Sequence, residues 1–400
     1  MVNGHRTPLD LPDWAESIGE DGRPVALLGG GGRLGLAVAS QLARAGLPVR
    51  VVEHRVERAE RAMNHLVEEG AHAVTALCAD WRDPSSLDSA LGGSRLVILA
   101  AGPEVPAPMV AAAALRCGAH YMDCQFSDLK KLKGLQAFTD RARESHLCFI
   151  TDCGIRPGMP AILLRHAAAQ LKDVSRAEVY LAMALGADPG IVSPRMIKDH
   201  LAIARRGLAL SMSEGRWVKL NARYYPVAVF PEPIGRRVAY PVFLGELRSL
   251  KDWMPTLDRA GFYLCGFGSL VDYLAVPTAA LLDGLRLSSL ADTVLAKAFA
   301  RSNRGGSAME LRMEVEGIKD GWPVAQTLAI RHEDPMVFSA ACVTACVVQL
   351  FEAAQRQERF GLWQQGLFLD PARTLEWLEC CDVTVTEESQ PTGAMALPGE

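Results

Sequence analysis

A strand, a run of glycines and a helix lie end to end over residues 25–42, and this succession constrains the fold more than any other feature. Val25-Ala-Leu-Leu28 is short and wholly apolar. Gly29-Gly-Gly-Gly32 follows, and the apolar run from Leu34 to Leu42 reads as a helix. Gly30, Gly32 and Gly35 have the G-x-G-x-x-G spacing. In such a turn the first glycine permits the bend. The second lets backbone approach a pyrophosphate, and the third lets helix pack close on strand. The free N–H groups at the start of the helix then face the phosphates. The spacing alone is common; its place between strand and helix is what gives it meaning. Gly30, Gly31, Gly32, Arg33, Leu34 and Gly35 are therefore the expected phosphate-binding residues of a dinucleotide site.

The next strand, Val49–Val52, ends on Glu53. A carboxylate there can accept hydrogen bonds from both adenosine ribose hydroxyls, which favours NAD. His54 and Arg55 supply cations for a 2′-phosphate, so NADP stays open. Asp80 ends the third strand; it either meets the adenine edge or caps the turn at Asp83-Pro84.

The chain has 400 residues, enough for two domains with sizeable cores. A hydrophobic share of 49% and a charged share of 22% are those of an ordinary globular protein. The net charge of −4 gives no bulk attraction to nucleic acid or to an anionic membrane, and neither is an expected partner. The ten cysteines contain no C-x-x-C pair, so zinc and thioredoxin spacings are missing and no metal site is expected. A reducing cytoplasm fits such cysteine usage. Met1 to Gly22 is polar and holds no apolar signal core. Met336 to Leu350 is the longest apolar run and reads as a buried helix rather than a membrane span.

Strand and helix patterns alternate to about residue 152. Strands are expected near 25–28, 49–53, 73–78, 96–100, 119–123 and 147–151. Helices are expected near 33–45, 56–69, 85–91, 106–117 and 128–145. Such alternation predicts a doubly wound parallel sheet, an α/β Rossmann domain, over residues 1–155. The loop Ala100-Ala101-Gly102-Pro103 leaves the fourth strand and would lie over the cofactor. From 156 to 334 the pattern changes to an α+β domain with an antiparallel sheet, expected to bind substrate and to dimerise. Its strands are predicted near 177–183, 216–230, 236–243, 308–317 and 322–331, with an Asp320-Gly321 hairpin. Helices are predicted near 159–170, 194–211 and 276–300. Segment 335–386 returns to helix and is expected to complete the first domain. Residues 387–400 are expected to be a disordered tail.

The motifs in residues 25–165 resemble the saccharopine dehydrogenase-like family. They are Leu28-Gly-Gly-Gly-Gly-Arg-Leu-Gly35, Ala100-Ala-Gly-Pro103, Cys117-Gly-Ala-His-Tyr-Met-Asp123 and Cys153-Gly-Ile-Arg-Pro-Gly-Met-Pro160. The resemblance implies an oxidoreductase that uses NAD or NADP to reduce an imine formed from an amine and a carbonyl compound. One departure stands out. The family's aspartate in Gly-x-Asp-Pro-Gly is Arg156 here. A guanidinium favours a carboxylate or phosphate partner over an amine.

No Tyr-x-x-x-Lys, His-Glu-x-x-His or Gly-x-Ser-x-Gly occurs. An iminium nitrogen already carries its proton, so imine reduction is compatible with the lack of an evident donor. Tyr121, Asp123 and Gln125 alternate along the fifth strand and would point alike. With Arg156 they are the candidate catalytic residues. His120 is expected to be a packed, hydrogen-bonded imidazole. Ser193-Pro-Arg195-Met-Ile-Lys198-Asp-His200 opens a helix whose basic face either lines a cleft or is solvated. The resulting expectation is a cytoplasmic, homodimeric reductase of C=N bonds on a small carboxylated molecule. A carbonyl or enoyl reductase, or a non-catalytic cofactor-binding sensor or scaffold, are the alternatives.

Overall fold

A computed structural model describes residues 7–19, 21–185, 209–268, 270–302 and 306–392. In chain order the first elements are β1 (Val25–Leu28), α1 (Arg33–Arg44), β2 (Val49–Glu53), α2 (Val56–Glu68), β3 (Val74–Cys78) and α3 (Pro84–Leu91). Next come β4 (Leu96–Leu99), α4 (Ala107–Arg116), β5 (His120–Asp123), α5 (Leu129–Gln136), α6 (Thr139–Glu144), β6 (Cys148–Thr151) and α7 (Met159–Gln170). They are followed by β7 (Lys172–Leu185), β8 (Leu210–Ser213), β9 (Arg216–Lys219), β10 (Val227–Val229), β11 (Arg236–Pro241) and β12 (Arg259–Cys265). Then come α8 (Val276–Gly284), α9 (Ser288–Ser302), β13 (Ser307–Lys319) and β14 (Trp322–His332). The last are α10 (Pro335–Gln355), β15 (Gly361–Gln364), α11 (Pro371–Cys380) and β16 (Thr384–Pro391).

The chain forms two compact units. The first joins Met1–Ile162 to Met336–Val383, and the second joins Leu163–Pro335 to Thr384–Glu400. The first unit holds a seven-stranded sheet in the order β15-β6-β5-β4-β1-β2-β3. Every ladder in it is parallel. β1, β4, β5 and β6 are buried along their whole length, as apolar runs covered on both faces should be. The strand order reverses between β1 and β4. In doubly wound sheets the ligand crevice opens at such a switch point, at the carboxyl ends of the strands.

α10 is long and apolar enough to cross a membrane, but 83% of its most apolar window is buried inside the protein. It is a core helix, as its sequence suggests. Its Thr344 receives the Trp377 indole N–H at 2.9 Å and donates to Gln41 Oε1 at 3.0 Å, tying α1, α10 and α11 together.

The second unit is built on a nine-stranded sheet whose main path runs β10-β11-β12-β7-β13-β14-β16. β7, β13, β14 and β16 form antiparallel ladders. The β12–β7 ladder is parallel, so the sheet is mixed rather than antiparallel throughout.

Several boundaries move. The helix expected over 128–145 is two, because the Phe138 N–H closes a turn on the Leu135 carbonyl. The helix expected over 276–300 breaks after Gly284, where Arg286 takes a left-handed φ of 62°. The strand expected over 216–230 is interrupted between β9 and β10. The helix predicted over 194–211 lies mostly outside the described residues, as do Ser193, Arg195, Lys198 and His200; Leu210 and Ser211 begin β8 instead. The tail expected to be disordered from 387 is corrected over 387–391. Those residues lie in β16, whose backbone ladder with β14 satisfies groups that polar side chains alone would leave to water.

Candidate cofactor and substrate site

The glycine turn leaves β1 at the switch point. Gly29, not Gly30, takes the left-handed bend, with φ of 89°. A Cβ there would lie 2.8 Å from the Ala101 amide nitrogen, so the turn and the loop after β4 touch backbone to backbone. A Cβ on Gly35 would lie 2.3 Å from the Gly29 carbonyl oxygen, which explains the third glycine of the motif. Gly32 is the N-cap of α1 and supplies no side-chain cap. The first turn of α1 thus has no cap side chain competing with an anion, and a pyrophosphate fits the turn.

Glu53 ends β2 and is 4% exposed. Its Oε1 accepts the Gly31 N–H at 2.9 Å. Arg58 on α2 closes the same bracket. Its Nε is 3.5 Å from Glu53 Oε1, and its Nη2 donates to the Gly31 carbonyl at 3.3 Å. Glu53 therefore braces the glycine turn, a role the ribose reading did not anticipate. Arg55, Arg58 and Arg61 follow at three-residue intervals, which places them along one side of the helix. With Gly31 and Leu36 they line a cleft of about 470 Å³ beside the turn. His54 is half-exposed and 3.7 Å from Glu53 Oε2.

Asp80 is engaged in its own turn, where Oδ1 accepts the Arg82 N–H at 3.0 Å. Asp83 caps α3 through the Ser85 N–H at 2.9 Å. Of the two roles open to Asp80, the structure displays the turn.

The loop after β4 is fixed from β5. Gln125 Nε2 donates to the carbonyls of Ala101 (3.2 Å), Gly102 (2.8 Å) and Val105 (2.9 Å). Ala101, Gly102 and Pro103 are thus held at the carboxyl edge of the sheet, beside the glycine turn. Beneath Gln125 lies a buried cluster. Tyr121 OH donates to Asp123 Oδ2 at 3.2 Å, and the Gln125 N–H reaches Asp123 Oδ1 at 3.2 Å. The expected alternation holds only for Tyr121 and Asp123, because β5 ends at Asp123 and Gln125 lies in the bend beyond it; Tyr121 and Asp123 are wholly buried rather than lining an open crevice.

Lys131, on α5, is the member that sequence reading missed. Its ammonium donates to Asp123 Oδ1 at 2.5 Å and to the Gln125 carbonyl, and lies 3.7 Å from Asp152 Oδ1. Asp152, also buried, accepts the Ser127 N–H and the Gln364 Nε2–H, both at 3.0 Å. Two carboxylates thus share one ammonium away from water. Burial pushes the Asp123 carboxyl up, and Lys131 opposes it. Burial likewise holds the Tyr121 phenol well above its ordinary value.

Arg156 sits in the turn between β6 and α7. Gln365, wholly buried, pins this turn: its Oε1 accepts the Gly154 N–H at 2.7 Å and its Nε2 donates to the Gly154 carbonyl at 3.0 Å. A Cβ on Gly158 would lie 2.7 Å from Gln365 Nε2, and φ there is 115°. Burial lowers the Arg156 guanidinium to about 10. The structure thus gathers the glycine turn, Glu53, Arg55, the loop after β4 and Gln125 at one edge of the first unit. Gly29, Arg58, Lys131, Asp152 and Gln365 belong with them. Only Gly29 lay inside a motif that could have marked it.

Residues 25–147 match the family model described as the saccharopine dehydrogenase NADP-binding domain. No curated protein matches the chain by sequence. Among solved structures, the fold is similar to apo histidine-tagged saccharopine dehydrogenase (L-Glu forming) from Saccharomyces cerevisiae. The TM-score is 0.70 at 14% identity, over 92% of this chain and 100% of that one. DAP dehydrogenase of C. glutamicum in complex with DAP is more distant, with a TM-score of 0.47 at 14% identity over 90% of this chain and 98% of that one. The first of these likenesses is one of fold.

Proposed function

We propose that the chain is a saccharopine dehydrogenase-like, NAD(P)-dependent dehydrogenase that reduces a C=N bond, or runs the reverse reaction, on a small carboxylated substrate with NADP(H); the match of residues 25–147 to that family's NADP-binding domain supports the reading. The observation that carries the reading is the glycine turn with its uncapped helix and the three arginines beside it. The backbone of Gly30–Gly35 would hold the pyrophosphate. Arg55, Arg58 and Arg61 offer cations to a 2′-phosphate, and Arg58 offsets the Glu53 carboxylate that would otherwise repel it. This shifts the choice from NAD towards NADP.

When bound, the nicotinamide supplies or takes the hydride. The chain's own residues position and exclude. Gln125 holds the Ala101–Pro103 loop to shape, Asp123 and Lys131 hold Gln125, and Tyr121 in turn holds Asp123. We therefore assign those three to positioning rather than to contact with substrate. Hydride addition to an iminium calls for no separate acid, which suits a crevice whose tyrosine and aspartate are engaged with each other. Arg156, on a pinned turn, is the proposed clamp for a substrate carboxylate.

The reading places the protein in the cytoplasm, which its ten free cysteines support. It also takes the protein as a homodimer. Exposed Leu274, Leu281 and Leu285 on the second unit support association, and a monomer in sedimentation equilibrium would remove that part.

The test is consumption of NADPH by purified protein offered pairs of an amino acid and a keto acid or aldehyde. Consumption that requires both partners is expected. Consumption with the carbonyl compound alone would make it a carbonyl reductase. Tight cofactor binding with no turnover on any pair would make it a binding protein.

A further inference from the structure

At the opposite edge of the parallel sheet, where β4, β5 and β6 begin, the first unit holds a second polar cavity. It measures about 370 Å³ and is lined by Asp21, Arg23, Arg95, His120, His146 and Gln357, among others. The glycine turn and Gln125 lie at the carboxyl ends of the same strands, so the sheet separates this cavity from the cofactor crevice.

Two of its polar side chains are more than nine-tenths buried. Arg95 is 6% exposed and His120 is 8% exposed. Arg95 is held flat, with its guanidinium carbon 3.6 Å from the centre of the Phe351 ring. Its Nη1 donates to the Ile18 carbonyl at 2.7 Å, and its Nε lies 3.4 Å from Asp21 Oδ2. That leaves Nη2 with no protein acceptor among the described residues.

His120 carries the more specific sign. Its Nδ1 accepts the Cys148 N–H at 3.0 Å. A backbone N–H can only donate, so Nδ1 bears the lone pair and the ring proton sits on Nε2. No acceptor for that Nε2–H occurs among the described residues. His120 and Arg95 both line the cavity, so the acceptor for these donors is whatever occupies it, water or a solute. Around it stand two guanidinium groups and one carboxylate. Asp21 is taken by Arg23 through two contacts of 2.6 and 2.7 Å, and it also faces Arg95. One positive charge is left over.

We propose that this cavity binds a small oxyanion, the carboxylate or phosphate group of a metabolite, through His120 Nε2–H and the Arg95 guanidinium. The net positive charge attracts it, and the two fixed donors select planar or tetrahedral oxygens over halide. The site is independent of the cofactor reading.

The experiment is calorimetric titration of the full chain with inorganic phosphate and, separately, with succinate. It is run in the Gly32→Val background so that phosphate cannot report the glycine turn. Saturable one-site binding is expected. His120→Gln and Arg23→Ala should each weaken it at least tenfold, the second by releasing Asp21 to repel the anion. Arg23 is half-exposed, so its variant keeps the test sound if His120→Gln fails to fold. Binding of phosphate alone or succinate alone identifies the source; binding of both supports the shared group. No binding of either, or binding indifferent to both substitutions and hence an adventitious ion only, overturns the proposal.

Discussion

At the scale of single residues, charge placement decides the cofactor question. Arg58 stands between Glu53 and the cleft, touching both the Glu53 carboxylate and the Gly31 carbonyl. Arg58→Ala should raise the NADPH dissociation constant at least tenfold, about 1.4 kcal/mol, and leave NADH nearer to wild type. Equal losses for both cofactors, read by fluorescence titration, would mean that Arg58 only braces the turn. Arg156→Lys keeps the charge but loses the two parallel donors. It should raise the KM for an acidic substrate at least tenfold with an unchanged melting temperature. A lower melting temperature with unchanged kinetics would make Arg156 a structural cation. His120 makes a statement about pH. Burial lowers it from 6.5 to about 4, so the folded state holds the neutral ring. The unfolded chain takes up the proton first, so this stabilisation is complete above about pH 6.5 and is lost as pH falls towards 4. On the order of 3 kcal/mol is at stake, and denaturation curves of His120→Gln should show a flatter dependence across that window. The places of Glu53 and Arg156 were legible from the sequence because each ends or follows a strand. Their partners were not. Arg58 reaches back from the next helix, and Gln365, which pins the turn that carries Arg156, bonds Gly154 from 211 residues away.

Elements were legible where burial leaves a pattern. β1, β4, β5 and β6 are covered on both faces and read as apolar runs; β13 and β14 alternate about an Asp320-Gly321 turn at which both residues take positive φ. β15 has four residues, too few to show a period. β16 carries the sequence Thr-Val-Thr-Glu-Glu-Ser-Gln-Pro and is mostly exposed, so composition argued for a tail. What holds it is a backbone ladder of eight paired positions along β14, from Val324–Pro391 to Arg331–Thr384. A polar network reinforces the ladder. Gln326 Nε2 reaches Gln170 Oε1 at 2.8 Å and also the Glu387 carboxylate, and His166 lies 3.4 Å from Glu387. Truncation after Val383 should therefore lower the melting temperature of the second unit and bare the β14 edge to self-pairing. A truncated protein with an unchanged melt and no light scattering would show the strand to be dispensable.

For the whole molecule, the decisive fact is that the first unit is discontinuous in sequence. Residues 336–383 supply the core helix α10 and the edge strand β15, and Trp377 on α11 closes onto Thr344. A fragment of residues 1–162 lacks all of these. It should be recovered as an aggregate or a loose, dye-binding state, and addition of a 336–383 peptide should restore cooperative unfolding. A fragment that melts cooperatively alone would show that the later segment only decorates a finished core. On the ribosome the same arrangement sets an order of events. The strand that receives β15 emerges long before β15 itself, and at roughly 5–20 residues per second the intervening chain takes on the order of ten seconds or more to translate. Through that interval the nascent dinucleotide-binding sheet offers an open edge and an empty groove to whatever chaperone stands at the tunnel exit.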